Sequence, residues 1–146
     1  MSMVGLLIVA HSERLASGVK EFAEQVTHGQ VPIVAVGGAV DGSLGISTDA
    51  IRQGLRQIAD SDGILVLVDF VSAALSVEAV LEDEPPMRVV ISNAPLVEGA
   101  YFAAVEAAVG ATLEETAAAA LRGRDLVKVQ ERWTSHPSSG LYSGER

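Results

Sequence analysis

The chain has 146 residues, enough for one domain with a substantial core, and 49% of them are hydrophobic, chiefly alanine, valine and leucine. A net charge of −9, with no basic patch interleaved with aromatics, argues against a nucleic-acid partner, because a phosphate backbone needs neutralising Lys and Arg. The absence of cysteine excludes disulfides, thiolate metal sites and a cysteine nucleophile, and with no apolar run near the roughly 20 residues of a membrane span and no basic, cleavable leader, a cytoplasmic chain without membrane contact is expected.

Val4 to Ala10 is a short, continuous apolar run with β-branched residues, the mark of a buried strand. Residues 13–27 follow with Leu15, Val19, Phe22, Ala23 and Val26 at helical spacing. Val31 to Val36 reads as a second strand and leads into a glycine-rich loop, Gly37-Gly38-Ala39-Val40-Asp41-Gly42-Ser43-Leu44-Gly45. Residues 47–60 read as a helix with Ile51, Leu55 and Ile58 on one face, 63–68 as a third strand, and 73–82 as a third helix. Glu84-Pro85-Pro86 breaks the chain before a short strand from Arg88 to Ile91. Alanine-rich helices are expected over 96–109 and 112–121, the second opening on a capping box of Thr112 and Glu115.

This alternation predicts an α/β fold in three layers: a mostly parallel sheet with helices on both faces. Strands bare of polar residues agree, since parallel strands are covered on both sides. The composition changes past Gly123, so residues 1–122 are expected to form the folded domain and 123–146 a C-terminal extension. Leu126 to Val129 reads as an extra edge strand or as a segment pairing with another subunit, and 134–146, rich in Ser, Gly and Pro, as a flexible tail.

His11 stands directly after the first strand, and Asp69 directly after the third. Open α/β sheets bind ligands at the carboxyl ends of their strands, in the crevice where the strand order reverses. If the first and third strands are neighbours there, about 4.8 Å apart, the two side chains can meet. Asp69 would then fix the tautomer of the imidazole, whose other nitrogen would present its lone pair for acyl or phosphoryl transfer. The plainer reading makes Asp69 an N-cap and His11 a polar residue at the sheet rim. His28, in a turn, and His136, in the tail, add no metal-ligand spacing.

The glycine loop could bring backbone amides close to an anion, but it lacks the Gly-Lys-Ser/Thr ending of a P-loop and follows the second strand. Helix starts near Ser12 and Ser72 supply further amides for a phosphate-like group. Ser72 could donate its hydroxyl to an anion or simply cap the third helix. Asn93 could line the site or make the turn before Pro95. With no magnesium-ligand pattern and no nucleotide fingerprint, no cofactor and no metal are expected.

Gly5-Leu-Leu-Ile-Val-Ala-His11-Ser12, Leu15-Ala16-Ser17-Gly18-Val19, Gly42-Ser43-Leu44-Gly45-Ile46-Ser47, Gly63-Ile-Leu-Val-Leu-Val-Asp69 and Asn93-Ala94-Pro95-Leu96-Val97-Glu98-Gly99-Ala100 together resemble the mannose-type IIA proteins of the bacterial phosphotransferase system. The similarity runs from residue 4 to about 120, and the Asn93 segment is closest to the phosphoryl-donor subunit of dihydroxyacetone kinase. The resemblance implies a sheet order of 2-1-3-4 and a homodimer. It makes His11 a phosphohistidine oriented by Asp69; with the helix starts and the glycine loop read above, Ser12, Gly38 and Ser72 are the groups expected around the phosphate. The implied activity is a phosphotransferase step. The histidine phosphocarrier protein donates to His11, and ADP held on a partner subunit of dihydroxyacetone kinase accepts. A sugar-transporter IIA component, a non-catalytic regulatory domain and an anion-binding domain are the competing readings. One departure stands out: the family usually reads Leu-Gly-Ser after the strand-ending aspartate, and this chain reads Phe70-Val71-Ser72.

Overall fold

The computed structural model describes residues 3–134. The chain order is β1 (Gly5–Ala10), α1 (Glu13–Glu24), β2 (Ile33–Gly37), α2 (Thr48–Gln57), β3 (Ile64–Val68), α3 (Val71–Asp83), β4 (Val89–Ile91), α4 (Leu96–Ala108) and α5 (Leu113–Leu121). The four strands form one parallel sheet in the order β2-β1-β3-β4, the predicted three-layer α/β arrangement. β1 lies in the middle, with Ala10 opposite Gly37 of β2 and Val9 opposite Val68 of β3. The connection from β1 leads outward to β2, whereas that from β3 leads the other way to β4. The strand order therefore reverses between β1 and β3, and a crevice opens at their carboxyl ends.

Alternation along the strands feeds two cores. Leu6, Ile8 and Ala10 of β1 and Leu65 and Leu67 of β3 pack with Ala16, Val19, Ala100, Ala103, Ala104 and Ala120 from α1, α4 and α5. Leu7, Val9 and Val66 point the other way, onto Ile51 and Leu55 of α2 and Ala73 and Val77 of α3. All six residues of β1 are buried, which is why that run carries no polar residue. Small residues let the layers close. A Cβ on Gly54 in α2 would lie 2.9 Å from the Leu7 methyl, and one on Gly99 in α4 would lie 2.7 Å from Ala94.

Several boundaries differ from the sequence expectation for local reasons. α1 stops at Glu24, and the chain tightens through i to i+3 bonds from Gln25, Val26 and Thr27 before His28 takes a positive φ of 51°. α2 likewise ends at Gln57 rather than 60, in turns closed by Ile58, Ala59 and Ser61 N–H groups. α3 begins two residues earlier than expected, at Val71. The capping box of Thr112 and Glu115 is present, with both reciprocal bonds made.

The expected C-terminal edge strand is not formed. After a 3-10 turn over Arg122–Asp125, residues 126–129 run irregularly and carry no sheet pairing. Gly123 packs against the Cβ of Glu98, and Lys128 pairs with the Glu98 carboxylate. This anchorage lays the segment against the start of α4. The tail expected over 134–146 lies outside the described residues except for Thr134.

Candidate active site

Each half of the central pair arrives at the end of a buried strand. Because β1 and β3 are hydrogen-bonded neighbours, His11 and Asp69 come to the same rim. The Nδ1 atom of His11 lies 3.0 and 3.1 Å from the two carboxylate oxygens of Asp69. The same carboxylate also accepts from the backbone N–H of His11 at 2.9 Å. A carboxylate is only an acceptor, so Nδ1 carries the ring proton and Nε2 holds a lone pair. The imidazole side chain keeps 32% of its surface exposed and the carboxylate 17%. The imidazole is therefore more exposed than the carboxylate that holds it. The Asp69 N–H donates to the Val9 carbonyl at 3.2 Å, which holds the end of β3 against β1.

Ser72 supplies the third contact. Its hydroxyl lies 2.8 Å from His11 Nε2 and donates to it in this tautomer. The capping readings of Asp69 and Ser72 fall away. Phe70 is the N-cap of α3 and offers no side-chain bond, and Ser72 is the second helical residue. The start of α3 carries no side-chain cap, so its first amides are left without a side-chain acceptor. Ser12 does cap its helix, accepting from the Leu15 N–H at 3.2 Å.

The glycine loop is tied to the same rim. The Gly45 N–H donates to the His11 carbonyl at 2.8 Å, so this amide fixes the backbone of His11 and is not free for an anion. Gly37 is required for contact: a Cβ there would stand 2.4 Å from the Ser12 carbonyl oxygen. Gly38 is buried and takes a φ of 83°, which favours glycine. The loop closes on itself through Ala39 N–H to the Ser43 carbonyl at 2.8 Å. Asp41 accepts from the Ser43 hydroxyl at 2.6 Å and from its N–H at 3.0 Å. These bonds hold the Asp41 carboxyl below its ordinary value.

Exposed apolar side chains stand on the segments next to this pair: Leu44, beside Gly45, is 78% exposed, and Phe70, beside Asp69, 70%. Glu13 and Asp41 are exposed on the two segments that flank His11. A groove of about 660 Å³ starts at Asp69 and runs between α3 and β4, with Phe70, Val71, Glu78, Ile91 and Asn93 in its walls. Asn93 does not make the turn after β4; the buried Ser92 does, its hydroxyl accepting from the Ala94 N–H at 3.0 Å. His28 is exposed in its turn and remote in sequence from these residues, and His136 lies outside the described residues.

Sequence reasoning named His11, Asp69, Ser12, Gly38 and Ser72. It missed the bond from the His11 N–H to Asp69 and the bond from Gly45 to His11. Both join segments far apart in sequence, which no local pattern encodes.

Comparison with known proteins agrees with this geometry. The model of the family described as PTS system fructose IIA component matches residues 5–117. A phosphoryl donor subunit, DhaM, of PEP-dependent dihydroxyacetone kinase from Klebsiella michiganensis is 37% identical over 141 residues, covering 92% of this chain and 30% of the relative. A DhaM subunit from Listeria innocua is 34% identical over 115 residues, covering 77% of this chain and 92% of the relative. This chain therefore spans under a third of the Klebsiella protein but matches nearly the whole of the Listeria one. The crystal structure of the unknown-function protein EF1359 superposes with a TM-score of 0.73 at 31% identity, covering 82% of this chain and 94% of that one. The matched stretch runs from the first residue of β1 into α5 and so takes in the whole sheet and the rim that carries His11 and Asp69: the chain belongs to the IIA-component family of the phosphotransferase system.

Proposed function

We propose that the chain is a phosphohistidine carrier that serves a dihydroxyacetone kinase. His11 takes a phosphoryl group from the histidine phosphocarrier protein and passes it to ADP on a partner subunit of the kinase. The observation that carries this reading is the orientation of the imidazole: Asp69 holds Nδ1, so Nε2 is the atom turned to the open rim. The names of the DhaM relatives give the direction and the system.

In the forward step the Nε2 lone pair attacks phosphorus as the N–P bond of the donor histidine breaks, with that electron pair returning to the donor ring. The transition state is loose and its charge is spread over the equatorial oxygens, so positioning and electrostatics supply most of the catalysis. The Ser72 hydroxyl, the first amides of α3 and the backbone near Ser12 and Gly38 are the groups within this rim that can meet those oxygens. Phosphorylation leaves a cationic ring with its proton still on Nδ1, and the Asp69 carboxylate stabilises that cation. In the return step an oxygen of the ADP β-phosphate attacks, and His11 leaves as the neutral ring. Both exchanges occur between protein-bound groups, which accounts for a shallow, apolar rim with Leu44 and Phe70 exposed. The acidic flank formed by Glu13 and Asp41 suits a basic donor surface.

The reading sets the reaction in the cytoplasm. It also includes a homodimer: the outer edge of β4 pairs with no strand among the described residues, and Leu126, Val127 and Val129 expose apolar side chains beyond the folded domain, which we end near residue 122. Light scattering on the purified chain reads the oligomeric state, and a monomer at micromolar concentration removes that element.

The central test is labelling with radioactive phosphoenolpyruvate and the two general phosphotransferase proteins. Label maps to the His11 peptide, is lost in His11→Ala, and moves to ADP when the kinase subunits are added. Retention of label on His11→Ala overturns the assignment. Transfer to a sugar transporter's acceptor subunit but not to ADP replaces the kinase with the transporter.

A further inference from the structure

The nucleophilic lone pair is occupied. The Ser72 hydroxyl lies 2.8 Å from Nε2, and because Asp69 accepts from Nδ1–H, the serine is the donor to Nε2 of the neutral ring. A hydroxyl directed along the lone pair stands where an incoming phosphorus atom has to be. We propose that Ser72 is a two-position hydroxyl: it covers the Nε2 lone pair in the resting protein and turns onto a phosphoryl oxygen once His11 is phosphorylated. This inference rests on the reading of His11 as the phosphoryl-bearing residue and adds to it a resting state for the nucleophile.

Three features of the site support the exchange. Ser72 is exposed, so rotation about its Cα–Cβ bond has room. It is the second residue of α3, where its backbone is fixed by the helix and its hydroxyl is not spent on capping. Its reach to Nε2 is also reach to the oxygens of a group bonded to Nε2. No proton changes owner: the serine hydrogen stays on Oγ, the O–H···N bond is exchanged for an O–H···O bond, and the N–P bond forms on the uncovered lone pair. The exchange replaces a neutral acceptor with an anionic one, and charge-assisted hydrogen bonds are roughly twice as strong as neutral ones. The serine thus opposes attack weakly and favours the phosphorylated state more strongly.

The test uses the whole chain and phosphoramidate, a small-molecule phosphoryl donor that requires no partner protein. Nitrogen-15 spectra of the resting protein report the acceptor state of each ring nitrogen. In Ser72→Ala the Nε2 resonance moves toward that of an uncovered lone pair while Nδ1 stays in place. The phosphohistidine formed with phosphoramidate decays about tenfold faster, the scale of one lost bond to a charged group. Ser72→Thr, which keeps a hydroxyl, restores both readouts. An unchanged Nε2 resonance in Ser72→Ala, or equal decay in all three proteins, overturns the proposal. Because the chemical donor bypasses the phosphocarrier, a chain that labels and decays as stated supports the role of Ser72 even if the carrier protein fails to donate.

Discussion

One carboxylate grips His11 twice, by its ring and by its backbone N–H. Asp69 therefore sets where the strand ends as well as which tautomer the ring adopts. Asp69→Asn keeps an oxygen for one of these bonds and loses the charge that stabilises a phosphorylated ring. The fold is expected to survive, and transfer to His11 to slow about ten- to a hundredfold, the equivalent of one charged hydrogen bond. Rapid-quench labelling measures this, and an unchanged rate would reduce Asp69 to a backbone anchor. Both residues were legible in the sequence because each interrupts the chain just where an apolar run stops. The contact from Ser72 to Nε2 was not legible in the same way. A serine three residues past Asp69 could equally be a cap, and only the observed start of α3 at Val71 puts its hydroxyl on the ring.

At the level of elements, the reactive rim depends on how closely β2 and its loop approach the turn after β1. Gly37 has no side chain because the Ser12 carbonyl occupies that space. Gly37→Ala forces backbone against a methyl group, and the expected cost is about 1–3 kcal/mol. Urea midpoints read that loss, and the initial rate of His11 labelling should fall with it. Gly54→Ala is the contrasting case. Its nearest neighbours are the ends of the Leu7, Val36 and Val34 side chains, which can shift, and alanine gains about 1 kcal/mol of helix propensity over glycine. Labelling is expected to remain at the wild-type rate, and a large drop would mean that the α2 face also shapes the rim. The order of strands and helices was legible from hydrophobic period alone. Helix ends were not: Val26 and Ile58 continue the helical spacing, yet both fall in i to i+3 turns. The 126–129 segment has strand-like composition, but the pairing of Lys128 with Glu98, a contact 30 residues back, holds it elsewhere.

Across the whole molecule, the end of the domain opposite His11 is held by charge. At the close of α3, Glu84 receives Nε and Nη2 of Arg56 at 2.9 Å each, and Nε of Arg52 from α2 at 3.2 Å. The hydrogen bond from Arg56, with the charges of both arginines, holds the Glu84 carboxyl below its ordinary value. A carboxyl depressed on folding contributes stability that is complete above its unfolded value, about 4.3, and is lost as the pH falls through its folded value. Glu84→Gln should therefore lower the urea midpoint at pH 7 and flatten its decline on acidification below about pH 5. His11 labelling at pH 7 should be unaffected. A variant whose midpoint tracks the wild type from pH 7 to pH 3 would show that the clamp contributes nothing. The central position of β1 has a further consequence, for synthesis. Asp69 leaves the ribosome 58 residues after His11, and Ser72 61 residues after it. A nascent or truncated chain ending before β3 holds an imidazole without either of these partners, so the arrangement of His11, Asp69 and Ser72 assembles only when the third strand docks beside the first.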